Sequence, residues 1–422
     1  MKRRLLRGEL KGSLGMVMGA CLVAVGLSCA ASSAPTSASR STTTSTTDSL
    51  VPSSSPTTFT PQTFQPVAMS FVNATQGWAM GSVSCPAPSG GSPSSPSSCP
   101  DIEATTNGGA TWSILGAVPE PLTPYVGPNV TGAVGDMVFA NAKDGYLFGP
   151  GLQVTTDGAH SWTSGSVASV IQVVVAGRAA YALSQATSYP GPSPATLWRA
   201  PLGTNTWSKV LMPPVNPNLS TLDQLLAERT TLLILQPGPS MAQSVSAQSG
   251  GLWMSTDGAA SWTYRATPCT QEDGGPALAS IALGHPDAWL FDCYNGEQSS
   301  QETNTQHHLY GTANGGASWV RLADPTHTGA PILMTDNGAG HAFLATEGAR
   351  NQLVGTFNGG RTWSVLSPEV PGFYGWADLG FVTPAVGFLV GPTHGGVPQY
   401  AYRTDDGGHS WKVIAFAGRW AQ

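Results

Sequence analysis

Six stretches of this chain align without a gap: Thr105 to Trp112 (TTNGGATW), Thr155 to Trp162 (TTDGAHSW), Ser255 to Trp262 (STDGAASW), Thr312 to Trp319 (TANGGASW), Thr356 to Trp363 (TFNGGRTW) and Thr404 to Trp411 (TDDGGHSW). A hydroxyl residue stands seven before each Trp and a Ser or Thr one before it. The position five before the Trp holds Asn107, Asp157, Asp257, Asn314, Asn358 or Asp406, followed by Gly in every copy. The chemistry is that of a turn and a wedge. The Asp or Asn oxygen can accept backbone N–H groups of its own loop, and Gly tolerates the left-handed conformation that a tight turn demands. The Trp then starts a strand and lays a large ring between neighbouring sheets.

The pattern resembles the Asp-box, or BNR, repeat of sialidases and related β-propellers, with Asn replacing Asp in three copies. In that family the box is a fold device remote from the catalytic centre, so the resemblance implies structural roles for the six polar anchors and for Trp112, Trp162, Trp262, Trp319, Trp363 and Trp411. A seventh unit, with Leu202 in the Asp position, ends at Trp207. Each unit also carries an apolar strand, a short polar turn and a second apolar strand ahead of the box, as in AMSFVNATQGWAMG (Ala68 to Gly81) and LGFVTPAVGFLVG (Leu379 to Gly391). Four strands per unit, A to D, repeated around an axis, predict an all-β fold: a seven-bladed β-propeller of four-stranded antiparallel blades. The last unit has its own D strand, so closure is expected from blade-to-blade packing.

In such blades the A–B turns and the boxes share one face. The long connections gather on the other, including Ser82 to Asp101, Ile114 to Ala133, Tyr264 to Ala277, Tyr294 to His307 and Val365 to Ala377. Long loops on a rigid scaffold are where binding residues concentrate, which makes that rim the candidate binding face. Tyr125, Arg265, Asp273, Tyr294, Asp324, Tyr374 and Trp376 are its candidate residues. The cysteines agree: local spacing favours Cys85 with Cys99 and Cys269 with Cys293 among three possible pairings. No C-x-x-C occurs, and His307 and His308 lack a spaced partner in sequence, so no metal and no cofactor are expected.

The chain begins with a cationic segment (Lys2, Arg3, Arg4, Arg7, Lys11) and an apolar run from Leu14 to Leu27, too short to span a bilayer and suited to a signal peptide over residues 1–28. Gly26-Leu27-Ser28-Cys29 resembles a bacterial lipobox, although Gly26 stands where that pattern places a branched aliphatic. The resemblance implies lipidation at Cys29 and an extracytoplasmic location at the cell envelope. Cleavage near Ala30, giving a secreted product, is the alternative. Residues 29–62, nearly all Ser, Thr, Pro and Ala, read as a disordered tether, and residues 63–422 as the propeller.

After the signal peptide 13 basic and 23 acidic residues remain, and only 10% of the whole chain is charged. Nucleic acid is therefore excluded as a partner. Sialidases clamp a substrate carboxylate with three arginines, pair a Tyr with a Glu as nucleophile and use an Asp as acid/base. Here the Arg-Ile-Pro signature is absent, and only Arg265, Arg321 and Arg350 fall on the predicted rim. Sialidases also have six blades. A glycoside hydrolase with two rim carboxylates, drawn from Glu120, Glu272, Asp273, Glu297, Glu302, Asp324, Glu369 and Asp378, is the alternative function. The units are also similar to the propellers grouped with photosystem II assembly factors. That resemblance, over about residues 66 to 417, implies a non-catalytic scaffold that binds protein partners; the rim aromatics fit an envelope protein or a glycan as partner, and a monomer is expected.

Overall fold

The computed structural model describes residues 64–84, 98–122, 134–185, 187–188, 191–192, 194–215, 224–236, 251–270, 273–295, 306–325, 329–347, 352–366, 376–391, 393–394, 397–398 and 400–417. Cys29, Cys85, Tyr125, Arg350 and Tyr374 lie outside these residues.

The chain folds as an all-β propeller of four-stranded antiparallel units. The first sheet takes strands A to D from Phe64–Phe71, Gly77–Ser84, Ser98–Thr105 and Ser113–Ala117. The second is built from Asp136–Phe139, Gly145–Phe148, Leu152–Thr155 and Thr163–Ser164. The third uses Val170–Ala176, Ala179–Ser184, Thr196–Pro201 and Ser208–Lys209, and the fourth Gln224–Glu228, Thr231–Gln236, Gly251–Ser255 and Thr263–Arg265. The last sheet takes Asp378–Phe381, Gly387–Val390, Ala401–Thr404 and Lys412–Val413. Seven separate sheets are expected from the repeats; five are four-stranded, and the strands between the fourth and last sheets form one eight-stranded sheet. Its halves are Gly275–Ala282 to Val320–Arg321 and Ala330–Asp336 to Ser364–Val365. They merge because the two inner strands approach closely enough for a single parallel bridge, Ala282 with Asp336.

All six repeat turns are built alike. In the first, Thr105 Oγ1 donates to Asn107 Oδ1 (2.9 Å) and accepts Gly109 N–H (2.9 Å), while Asn107 Oδ1 accepts Thr111 N–H (2.9 Å). The Asn copies donate from Nδ2 to the hydroxyl before the Trp, at 2.7 Å in Asn107 and Asn358 and 2.8 Å in Asn314. The Asp copies accept from that hydroxyl at 2.5 Å, in Asp157, Asp257 and Asp406. The Ser161 and Ser261 hydroxyls hold Asp157 and Asp257 ionised down to about 2. Five turns also give a Gly N–H to the A–B turn of their own sheet, for example Gly108 to Thr75 O at 2.7 Å and Gly359 to Gly340 O at 2.9 Å. Boxes and A–B turns therefore share a face.

The core lies between sheets. Phe71 stacks on Phe388 of the last sheet at 3.5 Å, Phe139 on Trp78 at 3.8 Å and Phe381 on Phe343 at 5.1 Å. Each of these phenylalanines ends an A strand opposite a glycine of strand B (Gly77, Gly145, Gly387). A Cβ on that glycine would come within 2.4 to 2.7 Å of the ring. The ring closes by packing. Phe71 on Phe388, Arg403 Nη1 donating to Ala74 O (2.8 Å) and Gly108 O (3.0 Å), and Ala417 N donating to Glu103 Oε2 (2.9 Å) join the last sheet to the first.

Candidate functional site

The residues that gather most densely belong to the first half of the eight-stranded sheet. The Cys269–Cys293 disulfide, with 5.5 Å between Cα atoms, ties the loop entering this half to its second strand. That loop places Asp273 beside Tyr310 of the third strand and Arg321 of the fourth. Asp273 Oδ2 accepts Thr270 N–H (2.9 Å), Thr270 Oγ1 (2.7 Å) and the Tyr310 hydroxyl (2.8 Å), and Oδ1 takes Arg321 Nη1 (3.1 Å). Arg321 Nη2 forks onto Asp324 at 2.9 and 2.7 Å and also meets His308 Nδ1. Its guanidinium lies 5.1 Å from the Tyr310 ring centroid.

The electrostatics follow from these contacts. Burial opposes the charge on Asp273, but the two Thr270 donors and the Tyr310 hydroxyl outweigh it and hold the carboxyl at about 2. Burial and the bond to Asp273 raise the Tyr310 phenol. The cluster thus presents fixed charges: an anion shielded by its donors, a guanidinium and a second carboxylate whose side chain is 42% exposed.

Beneath it lies a fully buried pair. His307 Nδ1 meets Asp292 Oδ2 at 2.8 Å and Nε2 meets Gly329 O at 2.9 Å. A carboxylate and a carbonyl can only accept, so both ring nitrogens carry protons. Burial works against that charge, yet Asp292 and the carbonyl outweigh it and hold His307 above the usual histidine value. Tyr294 is half-buried with its ring 5.1 Å from that of His307.

Two further candidates are placed elsewhere. Arg265 ends a D strand of only three residues and its Nε donates to Gly315 O (2.7 Å) in the next repeat turn, which puts it on the box side and not on the rim. Trp376 is buried with Phe381, Leu389 and Leu366, and Gly391 leaves room for its ring. Cys99 is disulfide-bonded; Cys85, expected as its partner, is outside the described residues. No group of three or more His, Cys, Asp or Glu among the described residues is placed to hold a metal ion.

The innermost strands carry a feature that sequence reading missed. Side chains at one register position clamp a sheet to the next at three junctions. Asp378 Oδ2 accepts Met69 N–H (3.0 Å), Gln172 Oε1 accepts Leu225 N–H (2.7 Å) and Gln224 Oε1 accepts Ala279 N–H (3.0 Å). Asp136 occupies the same position in the second sheet but accepts its own neighbour, Met137 N–H (2.7 Å). Burial and then the charge of Asp378 push Asp136 up to about 8, and burial pushes Asp378 to about 6. The signal that could have found them is positional: Asp136 and Asp378 both stand three residues before a wedge phenylalanine.

No family model and no curated protein sequence matches this chain. Among solved structures it is similar to YCF48 from Cyanidioschyzon merolae (TM-score 0.53, 11% identity, covering 82% of this chain and 97% of that one). It is also similar to the β-propeller domain of the Trilobed protease from Pyrococcus furiosus (TM-score 0.50, 7% identity, 84% and 97%). YCF48 bound to D1 peptide also matches (TM-score 0.48, 16% identity, 80% and 92%). At these identities the likeness is one of fold.

Proposed function

We propose that this chain is an exported, lipid-anchored seven-bladed Asp-box propeller that binds an envelope protein through its long-loop face and catalyses nothing. The count of seven treats the eight-stranded sheet as two blades joined by one bridge. It is supported by the inner strands, each of which touches the next, from Phe64–Phe71 round to Asp378–Phe381 and back. The common hydrogen bonding of the six repeat turns supports their assignment as Asp boxes. The tether and Cys29 would hold the domain away from the membrane.

The observation that carries the binding reading is the Asp273–Tyr310–Arg321–Asp324 cluster. Its rim acids are bound to donors and to one guanidinium: Asp273 has no proton to give as a general acid at neutral pH, and its lone pairs are committed. Pre-organised, partly exposed charges of this kind serve recognition and steering. Capture of envelope proteins on the immobilised domain, compared with an Arg321→Ala, Asp324→Ala variant, tests it. Loss of a specific partner is expected, and unchanged capture would contradict the assignment.

A glycoside hydrolase is the second reading, favoured by Asp136 and Asp378. One carboxyl held protonated beside another of lower value is the arrangement that divides acid and base roles. Hydrolysis of a sialoside or polysaccharide that disappears in Asp136→Asn would establish it in place of the scaffold.

A further inference from the structure

Six buried apolar clusters fill six of the junctions around the ring: last sheet to first, first to second, second to third, third to fourth, fourth to the eight-stranded sheet, and that sheet to the last. Among the described residues, the junction inside the eight-stranded sheet has no such cluster. The register at the end of strand A differs between units. The strand-A residue paired with the first residue of strand B is Phe71, Phe139 and Phe381 in three units, Ala176 and Ala282 in two, and Glu228 in the fourth sheet. In the remaining unit it is Asp336, paired with Ala342. A carboxylate stands where three other units place a phenylalanine wedge.

What remains is a cavity of about 270 Å³, open between the two halves on the face that carries the repeat turns. Its walls include Trp289, Leu322 and Trp363, with Gly340, Gly359 and Gly360 at the turns and Asp336 on the inner strand. A Cβ on Gly359 would meet nothing within 4 Å, so the turn leaves the opening clear. Asp336 Oδ1 accepts Gly338 N–H (2.8 Å), and no donor to Oδ2 is found among the described residues. The Trp363 indole N–H is buried and likewise finds no acceptor there.

We infer that this crevice is a binding site for the side chain of a lysine on a protein partner, with the alkyl stem along Trp289, Leu322 and Trp363 and the ammonium on Asp336. Two features select this occupant. The volume falls below the ~300 Å³ at which pockets for drug-sized ligands begin, which suits one side chain and excludes an oligosaccharide. Mostly apolar walls around a single carboxylate match a long methylene stem with one cationic head. Burial of the carboxylate, which raises its pKa, is relieved by a bound cation; the imidazoles of His285 and His341, the other titratable groups facing it, lower it in part. The site opens on the face that carries the repeat turns, and its walls include Val320 and Leu322 on either side of Arg321.

The test is binding of Nα-acetyl-lysine methylamide, of the uncharged norleucine analogue and of n-butylamine to the whole propeller, followed by NMR shifts of the tryptophan indoles. The lysine compound should bind at least about tenfold more tightly than norleucine, and Asp336→Asn should lose about 10- to 100-fold. Asp336→Phe, which installs the wedge used at three other junctions, should abolish binding and raise Tm. That rise shows the variant folded, so its loss of binding is not unfolding. Butylamine binding as well as the lysine compound would replace a protein lysine with a free amine as the ligand. Equal affinity for lysine and norleucine, no binding at millimolar concentration, or an undiminished Asp336→Asn complex would overturn the site.

Discussion

Replacing Asp136 by Asn isolates the inner-strand carboxyl pair. Asp136 has a value near 8 in the folded chain, raised by burial and then by Asp378. Unfolded, it returns to the ordinary aspartate value of about 3.9. A raised folded value means that the native state holds the proton more tightly. Its contribution is therefore complete below about pH 4 and is lost as pH rises through about 8. Asn has no proton to lose and can still accept Met137 N–H. With one pKa unit worth about 1.4 kcal/mol, stability of the parent relative to the variant should fall by about 1 to 4 kcal/mol between pH 5 and pH 8. The upper end applies if the pair's two protons titrate independently. Urea unfolding of both proteins across that range, read by tryptophan fluorescence, gives the difference directly. Parallel pH profiles would show that the two carboxyls do not share a low-dielectric site, and the hydrolase reading would lose its support with them.

Cys269→Ser should cost about 3 to 4 kcal/mol, because the crosslink closes a loop over a separation of 24 residues; an unmoved urea midpoint would contradict this. Phe139→Ala, at a position 5% exposed and stacked on Trp78, should cost about 3–5 kcal/mol, and a loss under 1 kcal/mol would show that the wedge is not a principal closure of its junction. Asp257 gives stability that is present above the unfolded value and lost as pH falls towards its folded value near 2. Asp257→Asn, which copies the natural Asn turns, should therefore lower the pH midpoint of acid unfolding, and circular dichroism at pH 2 to 4 reads the outcome.

The repeat is legible in sequence because its work is local. A hydroxyl, an Asp or Asn and a Gly within eight residues satisfy one another, so the turn writes its own pattern. The disulfide between Cys269 and Cys293 was legible for a related reason, since both ends lie in one unit. The site was not. Arg321, Tyr310 and Asp273 come from two strands and a loop, and nothing in their spacing marks Tyr310 as a partner. Arg265 was misplaced because sequence sets no length for strand D, and a strand of three residues leaves it beside the repeat turn. Trp376 read as a rim aromatic since an indole in a long connection has no period to mark it as core. Asp336 was hidden until register aligned it with the wedge residues.

The absence of an apolar layer at one junction has a mechanical meaning. A ring under thermal load opens at its weakest joint. Here the meeting of last and first sheets is held by stacked Phe71 and Phe388 and by Arg403 reaching across to two carbonyls. The joint beside Asp336 has one parallel bridge, the bonds from Leu283 N to Asp336 O and from Ala323 N to Gly360 O, and the His307 ring against Gly329 O, and among the described residues no buried apolar layer. That joint lies in the interior of the sequence, so a ring parted there would remain one arc with its first and last sheets still fastened together.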